Sequence, residues 1–245
     1  MSPFVYLVTG ASRGLGFAYS KAVLAQSPDN RIIATARTPE TAKQLQQLAE
    51  ENPGRVEIVK LDTSDKVSVQ EFAAALETNP LAKDGIDCLV NNAGICLDNS
   101  FQYNIFTAPD DELPTTLQTN LYGVIWVTKA VLPFLHKGRG KRIVNVSSVS
   151  GSIATMGPMR IVPMYGISKA ALNMATAKMA STLASDGFTV VAFHPGWVKT
   201  EINSDGKGDI TVDEAVDAAL KNLFPRLTAE NNGKFLWYDG SVHPW

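Results

Sequence analysis

Short apolar runs alternate with longer helical patterns along this 245-residue chain, and this alternation constrains the fold more than any other feature. Most of the apolar runs are rich in Val, Ile and Leu and show no polar alternation, which is typical of strands buried on both faces of a parallel sheet. They predict seven strands, at residues 4–9, 31–36, 56–60, 86–90, 141–146, 189–193 and 234–238.

The segments between these strands have helical patterns with recognisable ends. The second helix has Thr38 as its expected N-cap and Pro39 at its first position, and Ser64 or Asp65 opens the third. Apart from the third, the predicted helices cover residues 16–26, 39–51, 113–136, 164–185 and 211–224. Repeated βα units with right-handed crossovers place helices on both faces of a sheet. The sequence therefore predicts an α/β fold, with a doubly wound, mainly parallel seven-stranded sheet in one domain over residues 1–245.

Composition and charge exclude several classes of protein. The apolar fraction of 45% and the charged fraction of 19% are ordinary for a globular chain with a full core. With a net charge of -2 and no long basic run, we expect no nucleic acid and no membrane among its partners. The apolar run near the N-terminus is too short to span a bilayer and lacks the features of a secretion signal. Cys88 and Cys96 fit neither a disulfide framework nor a metal site, so we expect unbridged thiols and a cytoplasmic location.

A glycine-rich turn follows the first strand directly and leads into a helix. Glycines allow the backbone to turn tightly and to approach a pyrophosphate, whose charge is favoured at a helix N-terminus. The spacing Gly-x3-Gly-x-Gly would on its own also fit a plain tight turn, but its position between a strand and a helix favours a dinucleotide site. The predicted cofactor-binding residues of this turn are Gly10, Ser12, Arg13, Gly14, Leu15 and Gly16.

The end of the second strand indicates which dinucleotide binds. In folds of this kind an acidic residue there binds the ribose 2′-hydroxyl of NAD. Here Ala36 stands at that position and Arg37 follows, and a guanidinium can hold a 2′-phosphate through paired, charged hydrogen bonds. Arg13 could close on the same phosphate. We therefore predict NADP(H) as the cofactor, and the alternative is that both arginines are solvated surface residues.

Further motifs follow in order, each after a predicted strand or on the next helix: Asn91-Asn92-Ala93-Gly94, Ser147-Ser148, Tyr165-x3-Lys169 and Pro195-Gly196. Together with the glycine turn, this set resembles the short-chain dehydrogenase/reductase family, and the resemblance covers essentially the whole chain. It implies a Rossmann-like fold. It also implies an oxidoreductase that moves a hydride between a nicotinamide ring and a carbonyl or alcohol carbon.

Tyr165 and Lys169 are four residues apart on a predicted helix, so they lie on one face of it. A tyrosine with an ordinary pKa of about 10 is a poor acid at neutral pH, and a nearby ammonium would lower that pKa. We predict that Tyr165 gives its proton to the carbonyl oxygen as the hydride arrives. By resemblance, Lys169 also binds the nicotinamide ribose, Ser148 polarises the carbonyl, and Asn120 holds a water that passes protons through Lys169. Ser147 competes with Ser148, and otherwise has a structural role beneath the site.

The resemblance also implies contacts at the adenosine end of the cofactor. Asp62 and Thr63 follow the third strand and would flank the adenine. Asn92 and Gly94 would line the adenosine ribose with backbone and side-chain groups. Asn91, by contrast, is expected to tie neighbouring strands together.

At the nicotinamide end the implied contacts come from the segment after the sixth strand, where Pro195 and Gly196 open the turn. Val198 and Thr200 would bind the nicotinamide carboxamide and fix which face of the ring points at the substrate. The three histidines of the chain are scattered and have no spacing that joins them to acids or cysteines. No metal site is therefore predicted.

The chain departs from the family pattern in two places that bear on the substrate. The segment between Ser148 and Tyr165 is longer than usual and could be a substrate wall or a packing insert, and residues 201–209 are short and polar, which favours an open pocket. We expect a bulky, apolar or aromatic ketone or aldehyde. The apolar residues considered for the longer segment and the pocket are Ile153, Met156, Met159, Ile161, Val162, Met164, Phe101, Tyr103, Ile105 and Trp197.

The leading interpretation is an NADPH-dependent carbonyl reductase acting on a small molecule. The run at 235–240 resembles a subgroup with C-factor proteins, sniffer-type carbonyl reductases and fungal norsolorinic-acid-type ketoreductases. One alternative is an NAD(P)-dependent alcohol dehydrogenase working oxidatively. Another is a nucleotide-binding signalling protein with little turnover, against which the intact catalytic set argues. Helices 113–136 and 164–185 could pair two or four copies of the chain, or pack against the sheet.

Overall fold

Eight strands form one sheet in the computed structural model, which describes residues 3–97, 102–155, 162–202 and 206–245. The strand order is β3-β2-β1-β4-β5-β6-β7-β8, and every neighbouring pair is parallel except the last. The strands are β1 (Phe4–Val8), β2 (Asn30–Ala36), β3 (Val56–Lys60), β4 (Cys88–Asn91), β5 (Arg142–Val146), β6 (Thr189–His194), β7 (Phe235–Trp237) and β8 (Val242–His243).

The prediction of seven strands missed β8, which has only two residues and pairs antiparallel with β7. An apolar pattern cannot signal so short a strand. The hairpin closes through Gly240, whose φ of 87° lies in the left-handed region that glycine tolerates. All seven predicted strands are present, so the doubly wound α/β fold is confirmed.

Helices connect the strands and lie on both faces of the sheet. They are α1 (Gly14–Gln26), α2 (Lys43–Glu51), α3 (Lys66–Thr78), α4 (Glu112–Leu117), α5 (Val124–Lys137), α6 (Pro163–Leu183) and α7 (Val212–Asn222). Asp65 caps α3, because its carboxylate accepts a hydrogen bond from the Val67 N–H. Thr211 and Glu214 form a reciprocal capping box at the start of α7.

Two predicted helices are interrupted. The one expected over residues 39–51 begins as a 3₁₀ turn at Pro39–Thr41, and Ala42 then leaves the helical region before α2. The Thr38 side chain makes no capping hydrogen bond, so that predicted cap is wrong. The helix expected over residues 113–136 is split by a π-helical turn at Gln118–Gly123.

Alternate residues of each strand supply two separate core layers. Val8 and Ile32 face a layer that also contains Val23 of α1 and Val216 of α7. Their neighbours on the same strands face the opposite layer, which contains Phe72 of α3 and Val131 of α5. Within the described ranges, every helix is too short or too polar to span a bilayer.

The strand order reverses direction between β1 and β4, which are neighbours in the sheet. The chain runs from β1 outward to β3 on one side and from β4 outward to β8 on the other. In an open parallel sheet such a switch point leaves a crevice beyond the carboxyl ends of the strands, where ligands bind. The loops after β1, β4, β5 and β6 therefore meet at one edge.

Candidate active site

The glycine turn after β1 holds its shape through two residues in the left-handed region, Gly10 with φ 65° and Gly14 with φ 56°. A side chain at Gly16 would collide with the Gly10 carbonyl and come within 2.5 Å of the Asn92 amide nitrogen. The residue before α1, Arg13, contributes no side-chain cap to the helix. The start of α1 is therefore left without a side-chain cap, and a helix N-terminus with unsatisfied N–H groups is the arrangement that receives a phosphate.

Asn92 ties the glycine turn to the loop after β4. Its side-chain amide donates to the carbonyls of Thr9, at 2.9 Å, and of Gly10, at 3.3 Å. In return, the Thr9 hydroxyl accepts from the backbone N–H groups of Asn92 and Ala93, each at 3.0 Å. The amide nitrogen of Asn92 is thus committed to protein carbonyls, and its predicted contact with an adenosine ribose stays a prediction.

Arg13 forms an ion pair with Glu201, with 2.8 Å between Nη1 and Oε2. Both side chains are exposed. Arg13 belongs to the turn after β1 and Glu201 follows Thr200 in the segment after β6, so the pair spans the crevice between the two loops. Sequence patterns gave no sign of Glu201 as a partner for Arg13.

An open cleft of about 450 Å³ lies beyond the carboxyl ends of β2 and β3. Within it, Asp62 is held in place by the backbone N–H and the hydroxyl of Ser64, at 2.9 and 2.6 Å. Thr63 is buried, and its carbonyl lies against Gly123 in the π-helical turn, where a side chain would collide with it. The cleft is lined by Arg37, Thr38, Lys60, Asp62, Asp65, Ser68 and Glu71.

Asn120 lies in the π-helical turn and is fully buried. Its side chain accepts from the Ile95 N–H at 2.8 Å and donates to the Ile95 carbonyl at 2.9 Å. It also donates to the Ser168 hydroxyl at 3.0 Å, and that hydroxyl donates to the Tyr165 carbonyl at 2.7 Å. Asn120 therefore joins the loop after β4 to the first turns of α6.

Lys169 is buried beside Tyr165 on α6, as their spacing predicts. Its Nζ lies 5.5 Å from the centre of the Tyr165 ring and donates to the Val146 carbonyl at 2.8 Å. A side chain at Gly94 would lie 3.5 Å from this Nζ. Burial disfavours the charged ammonium and lowers the pKa of Lys169 from 10.5 to about 8.

Tyr165 differs from expectation in the direction of its pKa shift. Burial of the hydroxyl is the largest effect and raises its pKa above the ordinary value, and the nearby Cys96 adds to the rise. A hydrogen bond with the Ser148 side chain opposes the rise without reversing it. The pKa is therefore not lowered as predicted, because the burial of the hydroxyl costs more than the neighbouring Lys169 ammonium can offset.

The two serines after β5 have different environments. The Ser147 hydroxyl donates to the Asn173 side chain at 2.5 Å, and the amide of Asn173 donates to the Gly151 carbonyl at 3.1 Å. The Ser148 hydroxyl instead accepts from the Ser150 N–H at 3.1 Å and lies within hydrogen-bonding reach of Tyr165. Ser147 thus packs beneath the site, and Ser148 lies in it.

Asn91 bridges neighbouring elements, as expected. Its amide donates to the Asn145 side chain of β5, at 2.8 Å, and to the Thr128 hydroxyl of α5, at 3.0 Å. All three side chains are buried. This polar network holds β4 and β5 side by side directly below the loops that carry the site.

The segment after β6 closes the other side of the crevice. Gly196 has φ 92°, and a side chain there would lie 2.6 Å from Ile210. Pro195 and Val198 are buried, and Val198 forms a parallel bridge with Ile210. Thr200 is half-buried, and its hydroxyl is 3.4 Å from the Val198 carbonyl.

Comparison with known proteins identifies this arrangement. Residues 5–210 match the short chain dehydrogenase family. The chain belongs to that family. An uncharacterized oxidoreductase of Schizosaccharomyces pombe is 35% identical, over 98% of this chain and 98% of the yeast protein.

Solved structures of carbonyl reductases share the fold of this short chain dehydrogenase over its full length. The NADPH-bound carbonyl reductase from chicken fatty liver matches with a TM-score of 0.89 and 32% identity, covering 100% of both chains. The carbonyl reductase Sniffer of Drosophila melanogaster matches with a TM-score of 0.87 and 31% identity, again covering 100% of both. The Drosophila protein is a sniffer-type carbonyl reductase, one of the subgroup that the sequence resembles.

The structure of this dehydrogenase thus brings most of the predicted site residues to one edge of the sheet. It also adds groups that the sequence did not indicate, namely Glu201 beside Arg13, Lys60 in the cleft with Arg37, and Cys96 near Tyr165. Of the predicted substrate-wall residues, Ile153 is exposed while Val162 and Met164 are buried. Phe101, Met156, Met159 and Ile161 lie outside the described residues. Among the residues described, no three His, Cys, Asp or Glu side chains cluster as a metal site would require.

Proposed function

We propose that the protein is an NADPH-dependent carbonyl reductase with Tyr165 as its proton donor. The observation that carries the proposal is the meeting of Asn120, Ser148, Tyr165 and Lys169 at the sheet edge next to the glycine turn. The NADPH-bound carbonyl reductase from chicken fatty liver, which has the same fold, supports the choice of cofactor and reaction.

The residues fit the pyrophosphate and the 2′-phosphate of NADPH. Gly10 and Gly14 take the left-handed backbone conformation, and Gly16 packs directly against the Gly10 carbonyl, so the turn is tight enough for its backbone to approach a pyrophosphate at the start of α1. Arg37 stands in the cleft where a 2′-phosphate would lie, with Arg13 as a second cation in the adjoining turn. When bound, NADPH supplies the hydride.

The raised pKa of Tyr165 suits reduction. The phenol stays protonated throughout the neutral range, so it has a proton to give to a carbonyl oxygen. Ser148 can donate its hydroxyl hydrogen to the same oxygen and favour the charge that develops there. The Lys169 ammonium, 5.5 Å from the ring centre, stabilises the phenolate left behind and would supply the replacement proton.

Apolar side chains at the mouth of the site support a bulky, apolar or aromatic substrate. Ile153 follows the loop of Ser148 and is 83% exposed, and Trp197 follows Gly196 and is 46% exposed. Exposed aromatic and branched side chains beside a polar centre favour a ligand that covers them. We propose a ketone or aldehyde with such a group next to its carbonyl carbon.

Assembly and location stay predictions. Three apolar side chains on two helical segments are exposed. They are Tyr122 in the turn before α5, Ile125 at the start of α5, and Met174 on α6. These side chains lie on the two helices that the sequence offered for a homodimer or homotetramer. A cytoplasmic location rests on the sequence alone.

The proposal is tested by steady-state reduction of aromatic ketones, diketones and aldehydes with NADPH or NADH. We expect NADPH to be preferred in kcat/KM, and Arg37→Ser to lower that preference about 10- to 100-fold, as the loss of a charged hydrogen-bonded pair predicts. Arg139→Ser removes the same charge from an exposed site elsewhere and should leave the preference unchanged. Equal use of NADH by the unaltered protein would reject NADPH dependence.

A further inference from the structure

Lys60 is the last residue of β3 and lies directly across from Ala36, the last residue of β2. The parallel register pairs these two residues, and the Leu61 N–H donates to the Ala36 carbonyl at 2.9 Å. Arg37 follows Ala36 immediately. The backbone alone therefore places Lys60 and Arg37 on neighbouring strand ends.

Their side chains open into the same cleft. Arg37, Thr38 and Lys60 all line it, and all three are exposed to solvent. A guanidinium, an ammonium and a hydroxyl make up a donor set suited to the oxygens of a phosphate monoester. Within the described part of the chain, neither Arg37 nor Lys60 forms an ion pair with a carboxylate.

Three carboxylates share the cleft, and two of them accept local hydrogen bonds that hold them away from these cations. Asp62 accepts from the N–H and hydroxyl of Ser64. Asp65 accepts from the Val67 N–H as the cap of α3. Glu71 lies on the exposed face of α3. The acidic groups thus belong to the α3 side of the cleft, and the cations belong to the strand ends.

We propose that Lys60 is a further cation for the ribose 2′-phosphate, beside Arg37, and a determinant of the preference for NADPH over NADH. This inference rests on the proposed function, since it takes NADP(H) as the ligand. Arg37 supplies a rigid fork that fixes the phosphate in orientation, and Lys60 adds a mobile point charge on a flexible stem. Lys60 acts on binding alone and takes no part in the transfer of hydride or proton.

The test measures the binding of two fragments by calorimetry at low salt, adenosine 2′,5′-bisphosphate and adenosine 5′-monophosphate. We expect Lys60→Met to weaken the bisphosphate about 5- to 20-fold, in line with one lost charged contact, and to change the monophosphate less than about 2-fold. Lys60→Arg should retain the affinity for the bisphosphate. Lys178→Met, which removes an exposed lysine from α6, is the matched control and should change neither.

Unaltered bisphosphate binding by Lys60→Met would overturn the role of Lys60 while leaving NADPH dependence in place. An equal loss for both fragments would also overturn it, since the lysine would then support the cleft in general. If the unaltered protein binds the monophosphate as tightly as the bisphosphate, the proposed cofactor preference itself fails, and the role of Lys60 with it.

Discussion

The side-chain amide of Asn120 pairs with the backbone of Ile95 through two hydrogen bonds, one accepted at 2.8 Å and one donated at 2.9 Å. Asn120 lies where the helix before α5 widens into a π-helical turn, and such turns are frequent at functional sites. The paired loop carries Gly94, which faces the Lys169 ammonium. The Asn120 amide therefore ties the loop after β4 to the face of α6 that carries Ser168 and Lys169.

Asn120→Ala should lower both the stability of the protein and its rate of turnover. Both backbone groups of Ile95 lose their partner, which we expect to lower the free energy of unfolding by about 2 kcal/mol. Asn120→Asp keeps the acceptor for the Ile95 N–H but buries a carboxylate against the Ile95 carbonyl, so its loss should be at least as large as that of the alanine variant. Urea unfolding of the three proteins measures this order. An alanine variant as stable as the parent would show that the pairing contributes nothing.

Ser147 and Ser148 should separate stability from activity. Ser147→Ala removes the donor to Asn173 and is expected to lower the free energy of unfolding by about 1 kcal/mol, with little change in kcat. Within its own loop Ser148→Ala loses only the bond from the Ser150 N–H, so it should cost no more stability than Ser147→Ala, and it should lower kcat about 100-fold, as the loss of one donor to a developing oxyanion does. Each variant is the control for the other. The assignment is wrong if Ser147→Ala is the inactive one.

Activity should fall as Lys169 loses its proton. Burial lowers the pKa of Lys169 to about 8, so the ammonium is present below that pH and is lost above it. If the charge is needed, kcat/KM for NADPH, which reports ionisations of the free enzyme, should decline above about pH 8. Lys169→Arg, whose guanidinium stays charged, should not show this decline. A parent profile that stays level to pH 10 would contradict a role for the charge.

Much of the fold could be predicted because strands buried on both faces leave continuous apolar runs. The β8 strand was missed because two residues carry no periodic signal. The π-helical turn was missed because Gln118–Gly123 continues a regular helical pattern up to its final glycine. The turn ends where Gly123 packs against the Thr63 carbonyl, a contact between distant parts of the chain that no local pattern shows.

The candidate site could be predicted as far as its motifs reach, since each motif follows a strand and parallel strands end at one edge. Effects that depend on burial could not be foreseen. The spacing of Tyr165 and Lys169 is as expected, yet burial of the tyrosine hydroxyl raises its pKa where a lower pKa was predicted. Partners distant in the chain were also hidden, as with Glu201 beside Arg13 and Lys60 beside Arg37.

The central claim is that Tyr165 gives the proton in an NADPH-dependent reduction, and Tyr165→Phe tests it most directly. The purified variant and parent would be titrated with NADPH by nicotinamide fluorescence and then mixed with aromatic ketones while NADPH absorbance is followed. We predict NADPH affinities within about 2-fold of each other, and a loss of turnover of about 100- to 10,000-fold in the variant, the range expected for a general acid. Turnover by Tyr165→Phe at the parent rate, with NADPH bound equally well, would contradict the claim.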